Sequence, residues 1–135
     1  MTVSFGTLKA DTLTHSTAGS LATNFVVVGA NKLYCSLNGT GTAAIRDSFN
    51  TSSITDHGSG SYSVIATNSM SSADYGKLSH SGDDSGSGGN VTILGGQKGF
   101  APTSSTVKLA CSYHADGSTL ADHGDVNVAY VGDLA

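Results

Sequence analysis

Hydrophobic and polar residues alternate with a period of two along most of this chain. Leu33, Cys35 and Leu37 fall on one face of a predicted strand, and Lys32, Tyr34 and Ser36 fall on the other. The same alternation recurs over residues 43–49, 61–66, 91–93, 107–113 and 126–130. A period of two is typical of strands with one buried face, whereas a helix repeats every 3.6 residues. The pattern predicts an all-β chain.

Turn-forming residues separate these strands. Clusters of Gly, Asn and Asp stand at residues 38–39, 56–60, 115–118 and 123–125, and these residue types adopt the tight or left-handed backbone of turns. Several short strands divided in this way predict an antiparallel β-sandwich or a barrel-like domain. We assign this domain to residues 31–135.

The first thirty residues follow a looser pattern. Between Asp11 and Gly19 the only large apolar residue is Leu13, so this stretch is too polar to form its own core. We interpret residues 1–30 as an extended N-terminal arm or β-stem that packs against neighbouring subunits. An ordinary edge hairpin of the same domain is an equal alternative.

The composition favours a chain that associates with copies of itself. Charged residues make up 12% and hydrophobic residues 38% of the 135 residues, and the chain contains no Trp. Large aliphatic and aromatic groups are few, so the core of a lone domain is small and only marginally stabilising. Burying further surface between subunits is the natural remedy.

Charge and hydropathy exclude two classes of partner. Six Lys and Arg residues, scattered against ten Asp, do not form the basic surface that nucleic acid requires. No stretch reaches the ~20 apolar residues of a transmembrane helix, and residues 1–6 lack a signal-peptide pattern. We expect synthesis in a reducing cytoplasm, where Cys35 and Cys111 stay as free thiols in preference to a disulfide.

Candidate metal ligands surround two of the predicted turns: His114, Asp116, Asp122 and His123 around one, and His80, Asp83 and Asp84 around the other. Neither group follows a known zinc or calcium spacing. Aspartates beside Gly or Ser commonly accept hydrogen bonds from turn backbone, and we favour that role for most of them. We therefore expect no cofactor and leave open whether a metal binds. A weak calcium site at Asp83-Asp84-Ser85-Gly86 is the alternative.

Catalytic patterns are also absent from the sequence. The run Gly58-Ser59-Gly60-Ser61 is a broken form of the hydrolase nucleophile motif and lacks a following helical pattern. No serine or cysteine stands at a recognisable spacing from a histidine base. The sequence predicts a protein that is not an enzyme and has no catalytic residues.

The central segment resembles a known family. The residues that carry the likeness are Ala30-Asn31-Lys32-Leu33-Tyr34, then Asn38-Gly39-Thr40-Gly41-Thr42, then the run from Ile45 to Val64 that includes Ile45-Arg46-Asp47-Ser48-Phe49. They are similar to a β-rich module of tailed-bacteriophage proteins, common in marine phages, which is found as the head of tail fibres and as small virion proteins. Related modules often carry Trp where this chain has Tyr34.

This resemblance implies a homotrimeric, non-catalytic structural protein on the outer surface of a tailed-phage virion. The expected role is a capsid decoration or head-fibre protein, or a part of a tail fibre, with other capsid or tail proteins as partners. The alternative is a lectin-like module that binds host surface glycans. Tyr34, Tyr75 and Phe100 are its candidate aromatic residues, although core packing is the favoured role for Tyr34.

Overall fold

The computed structural model describes residues 12–15, 19–23, 27, 29–82, 92–113 and 119–135. Ten strands are assigned in this part of the chain, and they confirm the all-β prediction. In chain order they are β1 (Thr12–His15), β2 (Gly19–Ala22), β3 (Asn31–Asn38), β4 (Ala44–Phe49), β5 (Thr51–Asp56), β6 (Ser61–Ala66), β7 (Gly76–Gly82), β8 (Thr92–Gly96), β9 (Thr106–Tyr113) and β10 (Asp125–Val131).

Eight of these strands form two antiparallel sheets of four strands each, an arrangement consistent with a β-sandwich. The front sheet has the order β4-β3-β10-β7, and the back sheet has the order β5-β6-β9-β8. The remaining strands, β1 and β2, pair only with each other as a two-stranded sheet. None of the described residues belongs to a helix long and apolar enough to cross a membrane.

The core lies between the two sheets and is built mainly from the alternating positions that the sequence indicated, with Met70 and Tyr75 added from the segment between β6 and β7. The front sheet contributes from β3 and β10, and the back sheet contributes from β6 and β9. Because alternate residues of a strand point to opposite faces, each central strand supplies every second side chain. The buried apolar residues are Leu33, Cys35, Leu37, Tyr62, Val64, Ala66, Met70, Tyr75, Val107, Leu109, Cys111, Val126, Val128 and Tyr130.

Two strands, β5 and β7, have no counterpart among the predicted strands. Both are edge strands of their sheets, and both are rich in Ser, Gly or Thr. An edge strand shares backbone hydrogen bonds with one neighbour and leaves much of its surface in water. It therefore forms without a clear apolar alternation in its own sequence.

A buried hydrogen-bond cluster closes one end of the sandwich. Asp122 accepts hydrogen bonds from the Tyr62 hydroxyl at 2.7 Å and from the Gly60 N–H at 2.6 Å. The Tyr62 oxygen also lies 2.9 Å from the Gly39 carbonyl oxygen, and Gly39 N–H donates to the His123 carbonyl. Three loops are thus joined at one point. We call Gly39, Gly60, Tyr62 and Asp122 the loop clasp.

Glycine is required at both backbone positions of the loop clasp. A Cβ added to Gly39 would stand 2.5 Å from the Tyr62 oxygen and 2.8 Å from the His123 carbonyl oxygen. Gly60 has a φ of +64°, and a Cβ there would meet Ala121 backbone nitrogen at 2.6 Å. Contacts this short are not tolerated, so the Gly residues predicted as turn formers here also permit close approach of neighbouring loops.

At the opposite end, Asn50 turns the chain from the front sheet to the back sheet. Its φ is +55°, in the left-handed region that Asn tolerates better than most residues. The side-chain amide donates to the Lys32 carbonyl at 2.9 Å and the Asn68 carbonyl at 3.1 Å. The side-chain oxygen accepts from the Asn68 N–H at 2.8 Å. One residue therefore fixes both the corner and the adjacent loop.

Candidate functional site

The outer face of the front sheet carries a row of exposed apolar side chains. Strand register pairs Tyr34 of β3 with Phe49 of β4 on one side and with Ala129 of β10 on the other, and Ala129 pairs with Leu78 of β7. Paired residues in antiparallel strands project to the same face. Phe49, Tyr34, Ala129 and Leu78 therefore form one continuous row across the sheet, which we call the apolar row.

Water reaches this row. Phe49 is 57% exposed, Leu78 is 60% exposed and Tyr34 is 37% exposed. The Tyr34 and Phe49 rings stack with centroids 6.4 Å apart and planes 23° from parallel. Core packing, the role favoured for Tyr34 from the sequence, is wrong, because the alternate residues Leu33 and Cys35 fill the core on this strand. The same geometry places Phe49 outside the core.

A second row, made only of polar residues, runs parallel to the first. Ser36 pairs with Asp47 on β4 and with Asn127 on β10, and Asn127 pairs with His80 on β7. These residues stand two positions further along their strands, which is about 7 Å from the apolar row. We call Asp47, Ser36, Asn127 and His80 the polar row. The outer face is thus divided into an apolar strip and a hydrogen-bonding strip.

Asp47 connects the two strips. One of its carboxylate oxygens accepts a hydrogen bond from the Tyr34 hydroxyl at 3.0 Å, and the other accepts from the Ser48 N–H at 2.9 Å. The hydrogen bond to the neighbouring carboxylate raises the pKa of Tyr34, because ionising the phenol would place two negative charges together. The Tyr34 ring is therefore held in position by its own hydroxyl, which remains a donor.

Asp125 organises the other end of the polar row. It accepts a hydrogen bond from the Asn127 side-chain amide at 2.8 Å. Its carboxylate also lies 3.7 Å from Arg46 and 3.9 Å from His80 Nδ1. An exposed ion pair of this length contributes little to stability. The hydrogen bond from Asn127 orients that side chain beside the apolar row.

A shallow depression occupies the space between Tyr34 and the β7 edge. Its volume is about 270 Å³, and its lining includes Tyr34, Leu78, His80, Asn127 and Ala129. Its exposed lining is mainly apolar, and His80 and Asn127 contribute a small polar part. Ligand sites typically combine such an apolar surface with a few fixed hydrogen-bonding groups. The outer face of the front sheet is the strongest candidate binding surface in the described residues.

The back sheet carries a serine–histidine pair that the sequence analysis missed. His57 Nε2 lies 2.8 Å from Ser63 Oγ, because the β5–β6 turn folds His57 back over its own hairpin. Counting residues across that turn could have revealed the pair. Ser63 is buried in the middle of β6, between β5 and β9. Backbone N–H groups there serve the sheet ladders and are not free to stabilise an oxyanion.

Within the described part of the chain, no cluster of three or more His, Cys or Asp side chains could hold a metal ion. Asp122 belongs to the loop clasp, and His123 is fully buried with its ring 5.0 Å from that of Tyr113. His80 lies beside Asp125. The other four candidates lie outside the described residues: Asp83, Asp84, His114 and Asp116.

The other two candidate aromatic residues have different surroundings. Tyr75 is buried, its ring packs 4.8 Å from that of Tyr130, and its hydroxyl donates to the Thr103 carbonyl at 3.1 Å. Phe100 is 53% exposed, and the Lys108 ammonium lies 3.7 Å from its ring centroid. Phe100 therefore stands apart from the apolar row, and its face is covered by a cation.

Both cysteines are free and buried, in agreement with the preference stated from the sequence. Burial raises the pKa of Cys35 to about 11 and the pKa of Cys111 to about 12. A thiol with so high a pKa stays protonated near neutral pH and is a poor nucleophile. Neither residue has the environment of a catalytic or metal-binding cysteine.

In comparisons with known proteins, no family model, no curated protein and no solved structure matches the chain.

Proposed function

We propose that this protein is a non-enzymatic structural component of the outer surface of a tailed-bacteriophage virion. It acts as a capsid decoration or head-fibre protein, or as part of a tail fibre, and it assembles as a homotrimer. It is made in the cytoplasm of the host bacterium and is then incorporated into the virion. Its partners are copies of itself and other capsid or tail proteins.

The observation that carries self-assembly is the separate sheet formed by β1 and β2. These strands pair with each other through Thr12 to His15 and Gly19 to Ala22, and their ladder joins neither the front nor the back sheet. A two-stranded hairpin alone is at best marginally stable in water. Packing of residues 1–30 against neighbouring subunits would supply the missing support. Val27, 51% exposed, offers further apolar surface for that contact.

Two further features support a structural role. The residues that resemble phage modules fold into β3, β4, β5 and β6, which contribute two strands to each sheet of the sandwich. The serine–histidine pair on the back sheet lies where the backbone offers no oxyanion site. Both features fit a rigid scaffold that presents its surfaces to other molecules.

Sedimentation velocity of purified variants tests the assembly. Leu13→Asp combined with Leu21→Asp alters two residues that pair across the β1–β2 hairpin, and we expect the trimer to dissociate. Thr12→Asp combined with Thr14→Asp adds the same charge at exposed positions of β1 and serves as the matched control. A wild-type protein that sediments as a monomer at micromolar concentration would refute the homotrimer.

Binding of the purified protein to phage particles tests the proposed location on the virion surface. We expect the purified protein to bind capsids or tails from which it has been stripped, and not to bind a tailed phage of unrelated structure. Retention in solution without any particle binding would contradict the virion role.

Carbohydrate recognition is a second candidate function, favoured by the exposed stack of Tyr34 and Phe49 beside the polar row. It is compatible with the first, because a protein on a virion surface can hold its place and bind a host glycan at the same time.

A further inference from the structure

We infer that the outer face of the front sheet is a carbohydrate-binding site for neutral pyranose oligosaccharides, with Tyr34 and Phe49 as stacking residues and Asn127 and His80 as hydrogen-bonding residues. The inference deepens the proposed role on a virion surface and places glycan recognition on one face of the sandwich.

The first argument is the match between a pyranose ring and the two rows. A sugar ring has an apolar face made of C–H bonds and an equatorial rim of hydroxyl groups. The apolar row offers an aromatic surface for the C–H face, because the Tyr34 and Phe49 rings are stacked and exposed. Aromatic side chains supply large contact area with little loss of conformational freedom. The polar row lies beside them at the level of the rim.

The second argument is preorganisation. Asn127 is held by its hydrogen bond to Asp125, and Tyr34 is held by its hydrogen bond to Asp47. Side chains already fixed in the free protein lose less freedom when a ligand binds. Weakly binding ligands such as sugars depend on this saving, since each of their contacts is small. The hydrogen bonds of Tyr34 and Asn127 lie outside the core, on the face that the ligand would contact.

The third argument concerns the charge of the ligand. Asp47 and Asp125 place two carboxylates along the polar row, and Asp125 already lies near both Arg46 and His80. The carboxylate of an acidic sugar would lie beside the Asp47 carboxylate, and neither Arg46 nor His80 is left to compensate its charge, because both face Asp125. Like charges brought together on binding cost free energy. The site therefore favours neutral hexose or N-acetylhexosamine units over uronic or sialic acids.

The fourth argument is size. The depression beside Tyr34 has a volume of about 270 Å³, which suits one sugar unit. The apolar row continues past it across four strands, a distance of about 14 Å. A short oligosaccharide can therefore lie across the strands, with one unit in the depression and another on the Tyr34–Phe49 stack.

The test uses the full-length protein with defined probes: cellohexaose, chitohexaose and a galactose oligosaccharide as neutral ligands, and oligogalacturonate as the acidic comparison. Titration of ¹⁵N-labelled protein, followed by NMR chemical shifts, gives the affinity for each probe and the residues that it contacts. We expect at least one neutral probe to bind, with shifts at the Asn127 side-chain amide, and oligogalacturonate to bind more weakly. Binding of the acidic probe alone, or of no probe at millimolar concentration, would overturn the inference.

Variants identify the surface. Phe49→Ala and Tyr34→Ala should each weaken binding by about tenfold, the value of one aromatic contact. Phe100→Ala, which removes an equally exposed aromatic ring outside the apolar row, should leave the affinity unchanged. Phe49 lies on an edge strand outside the core, so its variant tests the surface without threatening the fold. Equal affinity in all variants would refute the assignment.

Sedimentation of the same variants separates a glycan site from a contact between copies. If Phe49→Ala dissociates the trimer, the apolar row is a subunit interface and the glycan inference fails. If the trimer is intact and no glycan binds, only the glycan inference fails. If the wild-type protein is monomeric and binds a neutral glycan through Tyr34 and Phe49, only the assembly proposal fails.

Discussion

Removing one hydroxyl group from the loop clasp tests how this sandwich joins its loops. In the Tyr62→Phe variant, the aromatic ring stays in the core, and the hydroxyl that donates to Asp122 and lies beside the Gly39 carbonyl is lost. The hydrogen bond is 2.7 Å long, its acceptor is a carboxylate, and Tyr62 is fully buried. Hydrogen bonds to charged groups contribute ~1.5–3 kcal/mol.

The expected cost is near the middle of that range. Asp122 is only half-buried and keeps the Gly60 N–H as a second partner, so part of its charge remains compensated after the change. We therefore expect Tyr62→Phe to lower the free energy of unfolding by about 2 kcal/mol. With a urea m-value of 1–3 kcal/mol per molar, the midpoint should fall by about 1 M.

Urea unfolding followed by far-UV circular dichroism measures this change, with protein concentration held fixed because an oligomer gains stability by mass action. Tyr75→Phe is the matched control. Its hydroxyl donates to a neutral carbonyl at 3.1 Å, so the loss should be about 1 kcal/mol. A double-mutant cycle with Asp122→Ala should give a coupling energy above about 1 kcal/mol. A loss below about 0.5 kcal/mol for Tyr62→Phe, or a coupling near zero, would refute the clasp.

Three further outcomes are expected. Asn50→Gly keeps the left-handed backbone but loses the corner hydrogen bonds, at a cost of about 2 kcal/mol, and Asn50→Ala should cost about 1 kcal/mol more; equal losses in urea unfolding would contradict the strain argument. Cys35 and Cys111 are buried with raised pKa values, so Ellman's reagent should label neither in the native state and both after unfolding; rapid native labelling would disprove their burial. Folding raises the pKa of both thiols above their ordinary 9.0, and that of Tyr62 and Tyr130 above the ordinary 10.0. The free energy of unfolding should therefore be highest below about pH 9 and should decrease as pH rises above it. A flat alkaline profile in pH-dependent unfolding would contradict this.

The part of the core that comes from the central strands could be predicted, because alternation in their sequences indicates which side chains are buried; Met70 and Tyr75, which lie between β6 and β7, were not predicted. Leu33, Cys35 and Leu37 alternate with polar residues, and all three are buried. One face of the sheet packs on the core and the other faces water, so apolar and polar residues must alternate along the strand. The same reasoning placed Tyr62 and Val64 correctly. The strands β5 and β7 escaped prediction because their Ser-, Thr- or Gly-rich sequences show no clear apolar alternation, whereas the other two edge strands, β4 and β8, show one.

The candidate site was harder to predict because the sequence pattern does not show which exposed side chains lie next to one another. Tyr34 lies between Leu33 and Cys35 in sequence, and aromatic residues are so often buried that core packing was the natural expectation. The alternation that buries Leu33 and Cys35 already turns Tyr34 to the opposite face of β3, but only the strand register shows that Phe49 and Ala129 lie on either side of it. The apolar row could not be predicted from the sequence, because β10 follows β3 by almost a hundred residues.

The sequence by itself determined that the chain is all-β, which side chains of the central strands fill the core and where several turns fall. These are local properties, because a strand's periodicity and a glycine's freedom are written in consecutive residues. Tertiary structure alone decided which polar and aromatic groups meet on the front sheet, and that His57 reaches Ser63 and Tyr62 reaches Asp122. Pairing between distant strands depends on the global arrangement of backbone hydrogen bonds, and a one-residue change of register would reverse every face.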